Sequence, residues 1–413
     1  MEELFRERVC GIDIGKADVK ACVRVPGKGQ RRVQVTRTFS TTTNGLLLLR
    51  DWLAEQRVEL VGMESTGVYW KSLYYTLEHE FTCWLLNPQH VKKVPGRKSD
   101  VTDAQWLARL TENGMVQPSF VPPPPIRAMR DLTRYRGALV HERTRCVQRL
   151  HALLEDAGIK LSLVASDITG ASGTAMLRSL IAGQRDPALL ADLAKASMRR
   201  KIPALTEALT GHFTGHHARL AEMMMRRIEG LDYDIADLEM QIQVQLTPFD
   251  PMIRRLMTIP GVGETVAPVI LAELGTDMTQ FPTAAQAASW AGLCPGNNES
   301  AGRHLGGRTR KGNVHLRAAL GEAAYAVSRT NNTHLADSHH RLARRRGEPR
   351  AIVATARKIL EAAWYVLTHD VDYHDLGPDY LARKINPEQR ARRLVRELGQ
   401  LGYEATITPT TAA

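Results

Sequence analysis

Four carboxylates stand where they could do chemistry. Asp13 lies inside the run Val9-Cys10-Gly11-Ile12-Asp13-Ile14-Gly15-Lys16, at a point where a core strand would carry another Val or Ile. An ionised acid in an apolar strand costs several kcal/mol unless a cation or a donor meets it. Asp13 is therefore either a turn residue at a sheet end or a member of a charged site. Glu64 closes a second apolar run, Leu60-Val61-Gly62-Met63-Glu64, just before Ser65-Thr66-Gly67. Asp100 and Asp103 are spaced i,i+3 at the start of a helix and so project from one face near its N-terminus. Carboxylates of this kind suit two divalent ions about 3.5–4 Å apart, which clamp the attacking and leaving oxygens of a phosphodiester. Mg2+ takes hard oxygen ligands in preference to His or Cys. Taken singly, each acid has a plainer reading: Asp100 as a helix cap, Asp103 as a partner of the helix dipole, Glu64 as a loop acid. The set as a whole favours the metal site.

The elements that must position these acids form an α/β pattern with a mixed sheet. Three strands come first, near residues 9–16, Lys20–Val25 and Val33–Phe39, with a turn at Pro26-Gly27-Lys28-Gly29. A helix capped by Asn44 runs through Leu53. The strand Leu60–Glu64, a helix from Lys71 to His79 and a strand from Phe81 to Leu86 follow. A basic stretch containing Lys92, Lys93, Arg97 and Lys98 then leads into a helix from Ser99 to Asn113. The run Pro122–Pro125 is a stiff break. Residues 1–121 are read as one catalytic domain.

Residues 122–250 are read as a helical, coiled-coil-like region: a helix from Arg127 to Ala157 rich in arginine, then a helical section from Pro203 to Leu246. Met223 to Met225 fit core or dimer packing, and the region predicts a homo-oligomer, dimer or tetramer. Residues 251–385 form a third, mainly helical domain, and 386–413 a charged tail that ends in disorder.

The 413 residues carry a net charge of +11 and a pI near 9.5, a balance that points to a polyanion partner, most often nucleic acid. Five cysteines without CxxC spacing predict reduced thiols and neither disulfides nor a zinc site. No signal peptide or membrane-spanning run is visible, so a cytoplasmic, nucleoid-associated protein is expected.

A second constellation lies in the Gly- and Asn-rich segment from Pro295 to Gly312. It holds Ser300 together with Arg303, Arg308, Arg310 and Lys311, whose charges can neutralise phosphates. A serine can attack phosphorus when a metal, base or cationic surround stabilises its alkoxide, but composition alone favours a turn hydroxyl making a local backbone bond. Upstream, Ile259-Pro260-Gly261-Val262-Gly263 resembles the hairpin of helix-hairpin-helix modules, whose backbone amides bind a phosphate without reading sequence. A tight interhelical turn explains it as well.

Taken together, GIDIGK around Asp13, GMESTGVYW around Glu64 and RKSDVTDAQWLARL around Asp100 and Asp103 resemble the DEDD transposases of bacterial insertion sequences, the family whose type element is numbered one hundred and ten. The resemblance implies an RNase H-like (RuvC-like) N-terminal domain and a C-terminal transposase domain with an IPGVG-like turn and a serine loop. It implies that Asp13, Glu64, Asp100 and Asp103 hold Mg2+, with Mn2+ able to substitute. It further implies that Ser300 forms a covalent phosphoserine link to DNA, with Ala301 departing from the usual glycine after that serine. A structured guide RNA, encoded by the element and pairing with donor and target DNA, is also implied. So is a composite site, with Ser300 of one copy meeting the acids of another.

Three alternatives stay open at this stage. A hydrolytic RuvC-like nuclease would use water and leave Ser300 structural. A nucleic-acid-binding or assembly protein would carry a degenerate site. Gly-Ile-Asp-Ile-Gly also resembles the opening of actin-like ATPases. The histidines His212, His216 and His217 read as a polar loop or helix end, and Trp70, Trp84 and Trp106 as core or site wall.

Overall fold

The structure, a computed structural model, describes residues 5–29, 31–65, 67–91, 103–296, 298–300, 303–306, 309, 311–378, 380 and 387–407. The chain divides into two compact units, Met1–Pro122 and Pro123–Ala413.

The first unit holds β1 (Val9–Ile14), β2 (Asp18–Pro26), β3 (Arg32–Ser40), α1 (Thr43–Glu55), β4 (Leu60–Glu64), α2 (Trp70–Leu77), β5 (Thr82–Leu86), the short α3 (Pro88–Val91), α4 (Asp103–Glu112) and β6 (Pro118–Ser119). Its sheet has the order β3-β2-β1-β4-β5-β6. The first three strands make an antiparallel meander, β1, β4 and β5 run parallel, and β6 is antiparallel to β5. The mixed α/β sheet read from the sequence is therefore present. Its edge strand β3 is mostly exposed and carries Thr, Gln and Arg, which suits an edge. Helix α1 starts earlier than expected: the Thr42 hydroxyl, not Asn44, caps it by accepting from the Gly45 amide at 3.3 Å.

Strand alternation divides the sheet into two faces. Cys10, Ile12 and Ile14 of β1, with Val61 and Met63 of β4, pack into a core closed by Leu46, Leu49 and Leu53 of α1 and by Leu73 and Leu77 of α2. The intervening residues, Gly11, Asp13, Gly62 and Glu64, belong to the opposite face, where α4 lies. Two glycines let that helix come down onto the strands. A Cβ on Gly11 would stand 2.1 Å from the Ala108 nitrogen and 2.4 Å from the Ala104 oxygen. A Cβ on Gly62 would stand 2.1 Å from the Thr111 hydroxyl. Gly11 and Gly62 are register partners on β1 and β4, so together they form a side-chain-free groove for the helix backbone. Ala104 and Ala108 keep the helix side of the contact equally thin, and Cys22 of β2 packs beside them. The far end of α4 is fastened by Glu112. This buried carboxylate accepts from Arg24 at 2.9 Å and from Arg32 at 2.8 Å, tying the helix to the β2–β3 hairpin.

The second unit is mostly helical. It begins with α5 (Pro124–Asp156), whose prolines occupy the first turn, where no amide partner is needed. Then come α6 (Leu161–Val164), α7 (Ala171–Ile181), α8 (Pro187–Ala191), α9 (Ile202–Ala208) and α10 (Gly215–Leu246). The long pair α5 and α10 runs antiparallel. Arg136 meets Glu239 at 2.8 Å, Arg143 meets Asp232 at 3.2 Å and Glu142 meets Arg227 at 2.5 Å. Much of the arginine of α5 is thus engaged with carboxylates inside the unit. The helical section expected from Pro203 to Leu246 is in fact broken. Gly211 presses against the end of α5, where a Cβ would meet the Ala157 oxygen at 2.6 Å, and the His212 amide donates to that oxygen at 2.9 Å. Of the three consecutive methionines, Met225 is buried, Met224 packs against the core and Met223 is exposed. His217 sits in the first turn of α10, where its Nδ1 accepts from the Thr214 amide.

Next follow α11 (Asp250–Met257), α12 (Val266–Leu274), α13 (Ala284–Trp290), the hairpin β7 (Asn298–Ser300) and β8 (Arg303–Gly306), then α14 (Val314–Ser328), α15 (His334–Arg346), α16 (Glu348–His369) and α17 (Pro387–Gln400). Helix α15 escaped the sequence reading because it is rich in His and Arg and has only a thin apolar face. No helix among the described residues is long and apolar enough to cross a membrane.

The glycine groove makes a direct prediction. Gly11→Ala forces a methyl group into the backbone of α4 and should destabilise the first unit by about 1–3 kcal/mol or more, as overpacking does. Gly263→Ala, with nothing within 4 Å of the added carbon, should be nearly neutral. Urea unfolding followed by tryptophan fluorescence compares the two. Equal midpoints would remove the groove's structural role.

Candidate active site

Parallel pairing of β1 with β4 sets Ile12 opposite Met63, so Asp13 and Glu64 are the next residues along neighbouring strands. Each is one residue beyond the last register pair, so both lie toward the same end of the sheet. Both belong to the α4 face by alternation. Asp103 opens α4, the helix that the glycine groove lowers onto that same face. The electrostatics record how near it comes. Burial raises the Asp13 carboxyl above the usual aspartate range, and the negative charge of Asp103 raises it further. Lys20, the register partner of Asp13 on β2, and the Ile14 amide act the other way. Lys20 was not singled out from sequence, although alternation along β2 places it on the acid face.

Asp13 is half-buried, Glu64 is half-buried and Asp103 is exposed, so the acids line an accessible edge of the sheet. A partly buried Asp13 facing the like charge of Asp103 fits a divalent cation, which would relieve both the burial and the repulsion. Asp100 lies outside the described residues, as do Lys92, Lys93, Arg97 and Lys98. Among the described residues, no group of three His, Cys, Asp or Glu side chains is placed to hold a metal ion.

In the second unit, Ser300 ends β7 and is the register partner of Arg303 on β8. Their side chains, and all of Arg308 and Arg310, lie outside the described residues; Lys311 is exposed. Within the segment from Pro295 to Gly312, β7 and β8 pair as a hairpin whose flanks are tied to the scaffold. Pro295 and Thr309 form a bridge at its base. Gly312 is pressed onto the end of α13, where a Cβ would meet the Ala291 oxygen at 2.4 Å. Asn313 then caps α14, accepting from the amides of His315 at 3.1 Å and Leu316 at 3.0 Å. Its side-chain amide donates to Glu273 at 2.6 Å. Glu273 is fully buried and also accepts from Arg134 at 2.7 and 2.8 Å, while Arg130 lies 3.3 Å away. Burial pushes the Glu273 carboxyl up, but the Arg134 hydrogen bond and the charges of Arg130 and Arg134, with Asn313 adding to them, outweigh it and hold it below the usual glutamate range. This network anchors the end of the serine hairpin. Sequence reading missed it because its partners are scattered over α5, α12 and the start of α14.

The Ile259–Gly263 turn joins α11 to α12. Gly261 has a φ of +84° and packs on α14, where a Cβ would meet the Ala323 oxygen at 2.4 Å, so packing and backbone conformation alone require glycine there. Gly263 faces open space, and its carbonyl accepts from the Val266 and Ala267 amides at 3.1 and 3.0 Å.

Known proteins share both halves. A family model of the DEDD type described as "Transposase" matches residues 10–159, and a second, described as "Transposase IS116/IS110/IS902 family", matches residues 253–340. The chain is 26% identical over 379 residues to a transposase for insertion sequence element IS1111A from Coxiella burnetii, covering 89% of this chain and 91% of that one. It is 25% identical over 368 residues to a transposase for insertion sequence element IS1328 from Yersinia enterocolitica, covering 87% and 96%. An IS110 insertion-element protein of Streptomyces coelicolor is 32% identical over 145 residues, covering 34% and 35%.

The hairpin anchor can be tested by itself. The Glu273 charge stabilises the fold above its unfolded pKa, near 4.3, and that contribution is lost as pH falls through the lower folded value. Glu273→Gln should lower stability at neutral pH by about 3–5 kcal/mol, since it leaves Arg134 and Arg130 without a carboxylate. Denaturant titrations near neutral pH and near pH ~3 should show the gap between wild type and variant narrowing in acid. A gap independent of pH would discard the ion-pair account.

Proposed function

Because the chain belongs to the IS110 family of DEDD transposases, we propose that it is a DNA recombinase that cuts and rejoins strands at the ends of its insertion sequence. The observation that carries this reading is the meeting of Asp13 and Glu64 on adjacent strand ends, with Asp103 brought to the same face by α4. The strand order β3-β2-β1-β4-β5, antiparallel and then parallel, supports an RNase H-like, RuvC-like domain.

In this reading Asp13, Glu64, Asp100 and Asp103 hold two Mg2+ ions. Bound there, the metal supplies Lewis-acid stabilisation of the oxygens that attack and leave phosphorus. Lys20 offsets part of the repulsion within the acid set. Ser300 is the nucleophile. Its hydroxyl loses a proton, its oxygen bonds to phosphorus, and one ester oxygen of the strand leaves and takes up a proton. The resulting phosphoserine ester preserves the bond energy for rejoining, when an incoming DNA hydroxyl displaces the serine. The pinned base of the hairpin supports that role, because a nucleophile must be held within fractions of an ångström of its line of attack. Arg303, Arg308, Arg310 and Lys311, with Lys92, Lys93, Arg97 and Lys98, neutralise backbone phosphates. Sequence choice is assigned to a guide RNA encoded by the element, and the active assembly to a homo-oligomer.

The rival is a hydrolytic RuvC-like nuclease, in which water attacks and Ser300 is structural. It keeps a place because the acids and Ser300 lie in different compact units.

Purified protein with Mg2+ and labelled element-end DNA separates these readings. Asp13→Asn should reduce strand cleavage by at least ~100-fold, as removal of a metal ligand exceeds the usual 10–100-fold effect of outer partners, while DNA binding persists. Ser300→Ala should abolish a protein–DNA adduct that survives denaturation. Undiminished cleavage by Ser300→Ala, with no adduct in wild type, decides for hydrolysis. Mixing the two variants reports whether acids and serine can act from different copies.

A further inference from the structure

The helices that end the second unit enclose a cavity of about 560 Å3 that neither half of the catalytic machinery uses. Ser338, Arg341, Leu342 and Arg345 of α15 form one wall, Ala354, Thr355 and Lys358 of α16 another, and Arg393 of α17 closes it. Among the described residues, the lining brings four cations from three helices into one concavity and includes no carboxylate. Two of the four are matched from outside the lining: Arg341 by Asp337 at 3.3 Å and Arg393 by Glu397 at 2.9 Å.

Lys358 is held differently. It is half-buried on the inner wall, and its ammonium donates to the Ser338 hydroxyl, a neutral acceptor. Burial and the Arg341 charge both press its pKa below the ordinary lysine value, against weaker help from Glu361 and Asp337. Glu361 is itself engaged by Arg357 at 2.8 Å. Desolvating an ammonium beside a guanidinium is unfavourable, and an anion in the cavity would reverse both terms. The rest of the lining fits a particular kind of anion. Leu342 and Ala354 give apolar wall, suited to a sugar or base edge. The size is that of a small-ligand site, several times larger than a lone phosphate needs. Beyond the rim the basic surface continues through Arg344, Arg346 and Arg350, all exposed.

We propose that the α15–α16–α17 cavity is a docking site for a nucleic-acid strand. It seats one backbone phosphate between Lys358, Arg341 and Ser338, with the adjoining nucleotide against Leu342 and the strand continuing past Arg345. The choice of a strand over free phosphate rests on the recombinase reading; the preference for an anion does not. The site supplies positioning charge without reading sequence, since nothing in its lining presents a patterned set of donors and acceptors to a base.

The test measures binding in EDTA, so that no strand is cut and the acid site plays no part. Lys358→Gln and Arg345→Gln are compared with wild type on a fluorescent DNA duplex and an RNA hairpin, both of arbitrary sequence, over a salt series. Arg345 is exposed, so its replacement leaves folding intact if the half-buried Lys358 proves structural. Each variant should lose about ten-fold in affinity for at least one of the two nucleic acids, and the log–log salt slope should fall by about one. Inorganic phosphate at millimolar levels should not displace the strand. Unchanged affinity and slope in both folded variants overturn the proposal. So does saturable stabilisation of wild type by inorganic phosphate that Lys358→Gln removes without affecting strand binding, which would make the cavity a site for the free anion. A wild-type protein that fails to cut DNA, yet shows Lys358-dependent binding, would instead remove the recombinase reading and leave the cavity standing.

Discussion

The acid site depends on one close approach, the seating of α4 on β1 and β4. Helices usually keep about 10 Å from a sheet because side chains stand between them. Here Gly11 and Gly62 remove those side chains on adjacent strands, and Ala104 and Ala108 remove them from the helix. The helix start is thereby lowered to the strand ends, and Asp103 enters the electrostatic neighbourhood of Asp13. At its other end Glu112 fixes the rotation of α4 through Arg24 and Arg32. A helix pinned at both ends cannot slide, so a carboxylate pair that would otherwise repel itself apart is held together.

The second unit solves a similar problem with different chemistry. A hairpin rich in glycine and asparagine has little apolar surface with which to order itself. Its ends are instead tied to the scaffold: the Pro295–Thr309 bridge, the contact of Gly312 with Ala291, and Asn313, which caps α14 while bonding a buried glutamate. A buried carboxylate is tolerable only with full compensation, and Arg134, Arg130 and Asn313 provide it. The same accounting changes the meaning of the net charge of +11. Arg24, Arg32, Arg130, Arg134, Arg136 and Arg143 are all engaged with carboxylates inside their own unit. The charge left to meet a polyanion sits elsewhere, and the basic cavity around Lys358 holds part of it.

Much of the first unit was legible in the sequence because its signals are local. Apolar runs mark β1 and β4, and the acid set in or closing each of them identifies itself. Signals that depend on distant partners were not legible. The cap of α1 fell on Thr42 because the hydroxyl there reaches the Gly45 amide, which composition does not distinguish from Asn44. The break before α10 is decided by Gly211 meeting the end of α5. Helix α15 has too thin an apolar stripe to show a period.

By itself, then, the sequence determined that Asp13 interrupts one apolar strand and Glu64 closes another, that Asp103 lies at the start of a helix, and that a serine lies in a segment rich in glycine and basic residues. Those are properties of residue type and spacing, fixed by backbone periodicity. Only the tertiary structure decided that the strand register makes Asp13 and Glu64 neighbours, that two glycines admit α4 to the same face, and that the serine segment is a hairpin moored to a buried ion pair. These depend on which surfaces meet. Register and packing are settled by the whole sheet and the whole helical unit together, and no stretch of chain carries them alone.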